Sequence, residues 1–223
     1  AESMLLEDYF DGDRISETAV DQFRFADGST LGLNEIADLT MQATQGDDFV
    51  QGLDSADKIE AHAGNDLVFG GGGDDKLVGN NGDDQFDGGT GADTITTGSG
   101  SDTIVLRVGD GGNVITDADV VTDFTDGTDV LGLDNGLQYT DLTIAQGTGD
   151  NASDTIISSG SEYLAILQGI SSSNINYYDF VSTATGNQTL TGSSGDDVLL
   201  GASGIDTVNS GTGVDIIVTY GGD

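Results

Sequence analysis

An aspartate stands at every ninth position through one stretch of this chain: Asp48, Asp57, Asp66, Asp75, Asp84, Asp93 and Asp102. Carboxylates at fixed spacing are hard anionic oxygen donors, and the chemistry they share is capture of a hard cation. Around them residues 43–105 read as seven uninterrupted nonapeptides, ATQGDDFVQ, GLDSADKIE, AHAGNDLVF, GGGGDDKLV, GNNGDDQFD, GGTGADTIT and TGSGSDTIV. Their common skeleton is G-G-x-G-x-D-x-U-x, with U a large apolar residue. A fixed short period marks stacked coils, each unable to bury its apolar face alone.

The skeleton says how the aspartates are positioned. Glycines at repeat positions 1, 2 and 4 permit left-handed backbone angles, so the first six residues predict a tight turn. The last three alternate polar, apolar, polar, the period of a short strand with one buried face. Val50, Ile59, Val68, Leu77, Phe86, Ile95 and Ile104 are the seven residues expected to point inward. Two repeats make one coil, so repeats n and n+2 stack. Asp48, Asp66, Asp84 and Asp102 then form one column and Asp57, Asp75 and Asp93 the opposite one.

Such columns need a counter-ion. Two carboxylates at a strand spacing of ~4.8 Å repel by about 3.5 kcal/mol at an effective dielectric of 20. The donors on offer are carboxylates and turn carbonyls on a pliant backbone, which suits calcium with its six to eight oxygens. Magnesium demands a stricter octahedron and keeps its waters. Zinc prefers Cys or His, and the chain has no Cys and a single His.

The repeats resemble the RTX (repeats-in-toxin) β-roll modules of secreted bacterial proteins. That resemblance implies several Ca2+ ions, each held between repeats n and n+2 by position-6 carboxylates and glycine-turn carbonyls. Carried onto this chain, the pairs are Asp48/Asp66, Asp66/Asp84, Asp84/Asp102, Asp57/Asp75 and Asp75/Asp93. The implied position-4 glycines are Gly46, Gly64, Gly73, Gly82, Gly91 and Gly100. The second repeat departs from the pattern, with Leu53 and Ser55 in place of glycines; Thr97 replaces the first glycine of the seventh.

A second block spans residues 183–223. GSSGDDVLL (192–200), GASGIDTVN (201–209) and SGTGVDIIV (210–218) supply Asp197, Asp206 and Asp215, with Gly195 and Gly213 at position 4. TATGNQTLT (183–191) precedes them with Gln188 where the aspartate belongs. One complete pair results, Asp197/Asp215, and the chain reads as cut in mid-array. Between the blocks, residues 106–182 hold short alternating runs separated by Gly, Ser, Asn and Asp, which predict strands and hairpins. This stretch resembles the β-rich region that follows the repeats in many RTX proteins. Asp123 and Asp129, with Asp126, are placed to hold a further ion there; solvated turn carboxylates are the competing reading. Residues 1–42 read as an N-terminal cap. QFRFADGSTLGL predicts a hairpin about Asp27-Gly28, NEIADL a short helix capped by Asn34, and FADGST resembles a small domain found before RTX repeats.

Five Lys+Arg against 40 Asp+Glu give a formal charge of −35. This excludes nucleic acid as a partner and disfavours anionic membranes. Neither a bilayer-spanning run nor a leader is present, so no membrane insertion is expected. With no Cys, calcium takes the stapling role that disulfides serve in other extracellular proteins. With 36 glycines and strong self-repulsion, the ion-free chain is expected to be largely disordered. Extracellular calcium would then trigger folding, and the family implies export by type I secretion machinery to the outside or surface of a bacterium.

Catalysis finds little support. His62 sits in a turn, AHAGND, where a tolerated substitution outweighs a triad base. No H-E-x-x-H occurs, and the glycine-rich pieces lead into strands and carry acid that repels phosphate. Tyr163, Tyr177 and Tyr178 read as packing residues before they read as a sugar-binding surface. The fold class expected is all-β: a parallel β-roll in two blocks, separated by a β-sandwich-like segment and preceded by a small cap. The function expected is that of a non-enzymatic, extracellular calcium-binding module in a larger exported protein of adhesin or surface-layer type. The alternative is the calcium-dependent tail of a secreted protease, lipase or polysaccharide-modifying enzyme.

Overall fold

A computed structural model describes residues 22–24, 30–32 and 43–219. The chain divides into two units, 1–42 and 43–223. In the first, β1 (Gln22–Arg24) and β2 (Thr30–Gly32) pair antiparallel with Phe23 opposite Leu31, the pairing expected of the hairpin. The expected helix at 34–39 lies outside the described residues.

The second unit is a parallel β-roll. One sheet carries β3 (Phe49–Gln51), β5 (Leu67–Gly72), β7 (Gln85–Thr90) and β9 (Thr103–Leu106). The other carries β4 (Lys58–Glu60), β6 (Lys76–Asn81) and β8 (Thr94–Ser99). Partners lie one coil apart in sequence: Val50 pairs with Val68, Val68 with Phe86 and Phe86 with Ile104. Across the roll, Ile59 pairs with Leu77 and Leu77 with Ile95. All seven expected inward residues are buried, Val50 at 4% exposure and the other six at 0%. The short x-U-x strand therefore buries one residue per repeat, and the stack of coils builds the core.

Residues 106–182, expected as a sandwich-like segment, do lie in two sheets, but these are the sheets of the roll prolonged. β10 (Asp119–Val121) adds in parallel to β8, pairing Val121 with Ile95. β11 (Val130–Leu133) adds to β9, pairing Leu131 with Ile104. On β10 follow β14 (Glu162–Leu167), β13 (Thr155–Ser159) and β12 (Leu142–Gln146), the last two antiparallel. On β11 lies β15 (Phe180–Ser182). Val121, Leu131, Leu167 and Phe180 continue the buried columns at 0% exposure. The antiparallel strands β13 and β12 end the sheet of β4, β6 and β8.

Residues 183–219 form a shorter roll with its own sheets. β16 (Thr189–Thr191) pairs with β18 (Thr207–Asn209), and β17 (Val198–Leu200) with β19 (Ile216–Val218), both in parallel. β17 packs on the 3-10 turn Tyr139–Asp141. Among the described residues the only helices are four such single 3-10 turns.

Candidate metal centre

The turns hold the site. Position-4 glycines Gly64, Gly73, Gly82, Gly91, Gly100 and Gly213 all have φ between +104 and +147°, a region that side chains avoid. Space forbids a side chain there as well: a Cβ on Gly82 would lie 1.9 Å from the Gly64 carbonyl oxygen. The carbonyl of one turn thus abuts the backbone of the turn one coil later. Gly46 and Gly195, which stand at the same repeat position, do not share the left-handed angle. His62 occupies position 2 of its repeat at φ +75°, in the left-handed region that Gly71 and Gly98 also take at that position. It is a turn residue.

The position-6 aspartates stack as columns. Each accepts, on Oδ1, the backbone N–H of the aspartate one coil earlier. Asp48 N–H donates to Asp66, Asp66 to Asp84 and Asp84 to Asp102; on the other side Asp57 donates to Asp75 and Asp75 to Asp93, every bond 2.8 Å. The second oxygen behaves differently within the same column. In the first coil it folds back on its own turn: Asp48 Oδ2 accepts Thr44 N–H at 2.7 Å and Asp57 Oδ2 accepts Leu53 N–H at 2.6 Å. In Asp66, Asp75, Asp84, Asp93 and Asp102 the Oδ2 atom is buried and has no hydrogen-bond partner. These five are the C-terminal members of the five n/n+2 pairs. In Asp75, Asp84 and Asp93 the Oδ2 atom points over the glycine that opens its own turn; a Cβ on Gly88 would stand 2.2 Å from Asp93 Oδ2, and one on Gly79 2.3 Å from Asp84 Oδ2.

A buried, unpartnered carboxylate oxygen is costly. The titration of these groups carries the mark. Burial, reinforced by neighbouring carboxylates, pushes Asp75 and Asp102 up to about 6 and raises Asp66, Asp84 and Asp93. Five orphaned oxygens, three of them beside a glycine that opens the turn, fit a hard dication. Among the described residues no three acidic or histidine side chains converge on one point. A nonapeptide site needs no such cluster, because carbonyls complete a coordination sphere that two carboxylates begin.

The remaining site residues are placed as follows. Asp129 accepts Asp102 N–H on Oδ1 at 3.1 Å and Thr125 N–H on Oδ2 at 2.7 Å, so both its oxygens have protein donors. Asp123 accepts Thr97 N–H at 2.8 Å and Gly98 N–H at 3.0 Å, capping the glycine turn of the seventh repeat. In the second block Asp197 accepts Ser193 N–H at 2.7 Å and Asp206 accepts Ala202 N–H at 3.0 Å, both on Oδ2. Asp215 accepts Asp197 N–H at 3.2 Å.

Three features escaped the sequence reading. Position 5 carries a second, outer ladder: Asp47 accepts from Asn65 N–H at 2.8 Å, Asn65 from Asp83 at 3.0 Å and Asp83 from Ser101 at 2.8 Å. The preference for Asp or Asn at that position was its visible signal. Asp119 accepts Asp93 N–H at 3.0 Å and so extends the second column by one step, with no nonapeptide to announce it. Arg107 bonds Asp87, Asp110 and Asp134 together, at 3.0 Å from Asp87 Oδ1 and 3.1 Å from each of the others. These carboxylates hold its guanidinium above its already high ordinary value.

A family model of the RTX calcium-binding nonapeptide repeat matches four times, at residues 42–77, 69–104, 78–114 and 182–223. Together the matches take in just over half of the chain. The protein is a calcium-binding repeat module of parallel β-roll type. It belongs to the RTX calcium-binding nonapeptide repeat family, and Ca2+ is the ligand of those repeats. Among solved structures, it is similar to the AlgE6R2 subunit of the Azotobacter vinelandii mannuronan C5-epimerase: 24% identity, 65% of this chain, 96% of that one, TM-score 0.42. The AlgE6R3 subunit of the same organism's enzyme matches at 22% identity over 65% of this chain and 82% of that one, TM-score 0.35. No curated protein matches the chain.

Proposed function

We propose that this chain is a calcium-triggered structural module: it folds on taking up several Ca2+ ions outside the cell and serves a larger exported protein without catalysis of its own. The observation that carries this is the set of five buried Asp Oδ2 atoms without donors, all in the interior of the longer roll. A bound cation supplies the positive charge that those oxygens lack. The residues that would hold it are the pairs Asp48/Asp66, Asp66/Asp84, Asp84/Asp102, Asp57/Asp75 and Asp75/Asp93, with the position-4 carbonyls beside them. Asp197/Asp215 is the corresponding pair of the second block, and Asp123 and Asp129 close the first block at its far end. The working division is a cap at 1–42, a first roll at 43–105, a closing segment at 106–182 and a second roll at 183–223.

The charge of −35 favours this reading, because a chain so acidic resists compaction until cations neutralise it. Family membership supports export by type I secretion machinery to an extracellular or cell-surface place. Among the described residues no helix is long and apolar enough to cross a membrane. An adhesin or surface-layer parent and a secreted-enzyme parent assign the same work to this chain.

The test is a titration of the metal-stripped chain followed by circular dichroism, with magnesium as control. A cooperative gain of β-structure with calcium alone is expected. Full β-structure before any ion is added, or an equal response to magnesium, would refute the proposal.

A further inference from the structure

The nonapeptide period ends at Val105, yet the stacking of turns does not. In three successive turns of the roll, the N–H of the position-4 glycine donates to the position-3 carbonyl one coil later: Gly64 to Asn81 at 3.0 Å, Gly73 to Thr90 at 2.8 Å, Gly82 to Ser99 at 2.9 Å. Gly91 follows the same rule and donates to the Asp110 carbonyl at 3.4 Å. Residue 110 therefore takes position 3 of an eighth turn. Gly109 before it has φ +108°, the angle of Gly71 at position 2. Position 6 of that turn is filled by Asp119, whose Oδ1 accepts Asp93 N–H at 3.0 Å like every rung below. The strand that follows keeps register, with Val121 buried at 0% exposure opposite Ile95. An ordinary turn has three steps between positions 3 and 6; here Asp110 and Asp119 are nine apart, and the extra residues loop out. The turn is split in sequence and whole in space.

At this step two carboxyl groups meet. Asp93 is fully buried and its Oδ2 has no hydrogen-bond donor. Asp119 is 6% exposed, and its carboxyl lies within side-chain hydrogen-bond reach of that of Asp93. Two ionised carboxylates in contact repel each other, so either a proton or a cation must lie between them. A cleft of about 380 Å³ opens alongside, between the turn at Thr90–Ala92 and the looped-out residues, and Asp74, Asp110 and Asp117 line it. The Asp110 side chain is engaged by Arg107 at 3.1 Å, which leaves its backbone as its contribution to the turn.

Resting on the calcium-binding reading above, we infer that the Asp93/Asp119 step is an additional calcium site, built from a turn that an insertion has divided. Its ligands are the carboxylates of Asp93 and Asp119, with carbonyls of the facing turns. It adds one ion to those that the nonapeptides announce, at the junction of the roll with its closing segment.

Two measurements on the full chain test it. Native mass spectrometry counts calcium ions in the wild type and in Asp119→Asn, with circular dichroism at saturating calcium to verify the fold. One ion fewer with an unchanged spectrum is expected; an equal count in a folded variant overturns the site. Should the variant fail to fold, anomalous diffraction from calcium-loaded wild-type crystals decides. A peak between Asp93 and Asp119 supports the site. Peaks at the other steps and none here overturn it in favour of a shared proton, and leave the module's function intact. Uptake of no calcium at any step overturns both.

Discussion

The two rolls of this chain use the same turn and treat the same oxygen differently. In the longer roll five aspartates bury an Oδ2 with no donor. In the shorter one Asp197 and Asp206 return theirs to the N–H of Ser193 and Ala202, four residues earlier. The first coil of the longer roll does the same through Thr44 and Leu53. The distinction follows what lies one coil below. Asp48 and Asp57 open their columns, Asp197 opens its own, and beneath Asp206 stands Gln188, which offers no charge to share. A position-6 aspartate with no carboxylate beneath it satisfies itself. Within the nonapeptides of the longer roll, one stacked on another is left to a cation. The repeat motif is thus a conditional metal site, and the condition is its neighbour.

The largest effect expected from this contrast is regional. On chelation, amide hydrogen exchange should lose protection throughout the strands of the longer roll, and change far less between Val198 and Val218. Equal loss in both rolls would abolish the distinction. Next in size is Asp84→Asn, which disturbs two steps, Asp66/Asp84 and Asp84/Asp102. Each ion held at a hundred times its dissociation constant contributes about 2.7 kcal/mol, so thermal unfolding in calcium should fall sharply. Asp206→Asn, measured in parallel, should scarcely move it.

Acid gives a third, intermediate test. Burial penalises the charge of Asp75 and Asp102 and pushes them up to about 6 in the ion-free fold, against 3.8 for an ordinary aspartate. A carboxyl raised by folding stabilises the fold below its unfolded value and loses that contribution as pH rises through the folded one. Without calcium, β-structure should therefore increase on acidification from pH 7 through 6 towards 4. With calcium the sign reverses, since protons compete for the ligands, and ion affinity should drop over the same interval. Calcium affinity that stays level from pH 7 to 4 would argue against carboxylate ligands. The smallest expected effect is a gain: Gln188→Asp places a carboxylate beneath Asp206 and should add one ion to the count obtained by native mass spectrometry. No added ion would show that stacking alone does not create a site.

Most of the longer roll was legible from its period. Strict nine-residue spacing places Val50 to Ile104 inward and stacks the aspartates, because in this fold the register is the sequence arithmetic itself. Gly64 and Gly82 were readable as turn residues for the same reason. What the period could not carry is everything that depends on insertion or on partners distant in sequence. Asp119 joins its column across residues 111–118, which break the count. Arg107 reaches Asp87 twenty residues before it and Asp134 twenty-seven after it, pairs that no local pattern encodes. The closing segment was recognisable as strands, but its attachment to both sheets was not, since alternation gives a strand its faces and says nothing of its neighbour. The contrast between the rolls likewise turned on Gln188. The substitution was visible in the sequence; its consequence, an Asp206 that satisfies itself, emerged only from the hydrogen bonds.

The rungs also give the array a direction. Each aspartate N–H is held by a carboxylate one coil further on, never one coil back, so every coil depends on its successor for that bond. The roll behaves as a zipper whose slider rests at its C-terminal end, where Asp119 and Asp129 accept the last two donors. Opening that end would release the backbone N–H groups of Asp93 and Asp102, the last two donors of their columns.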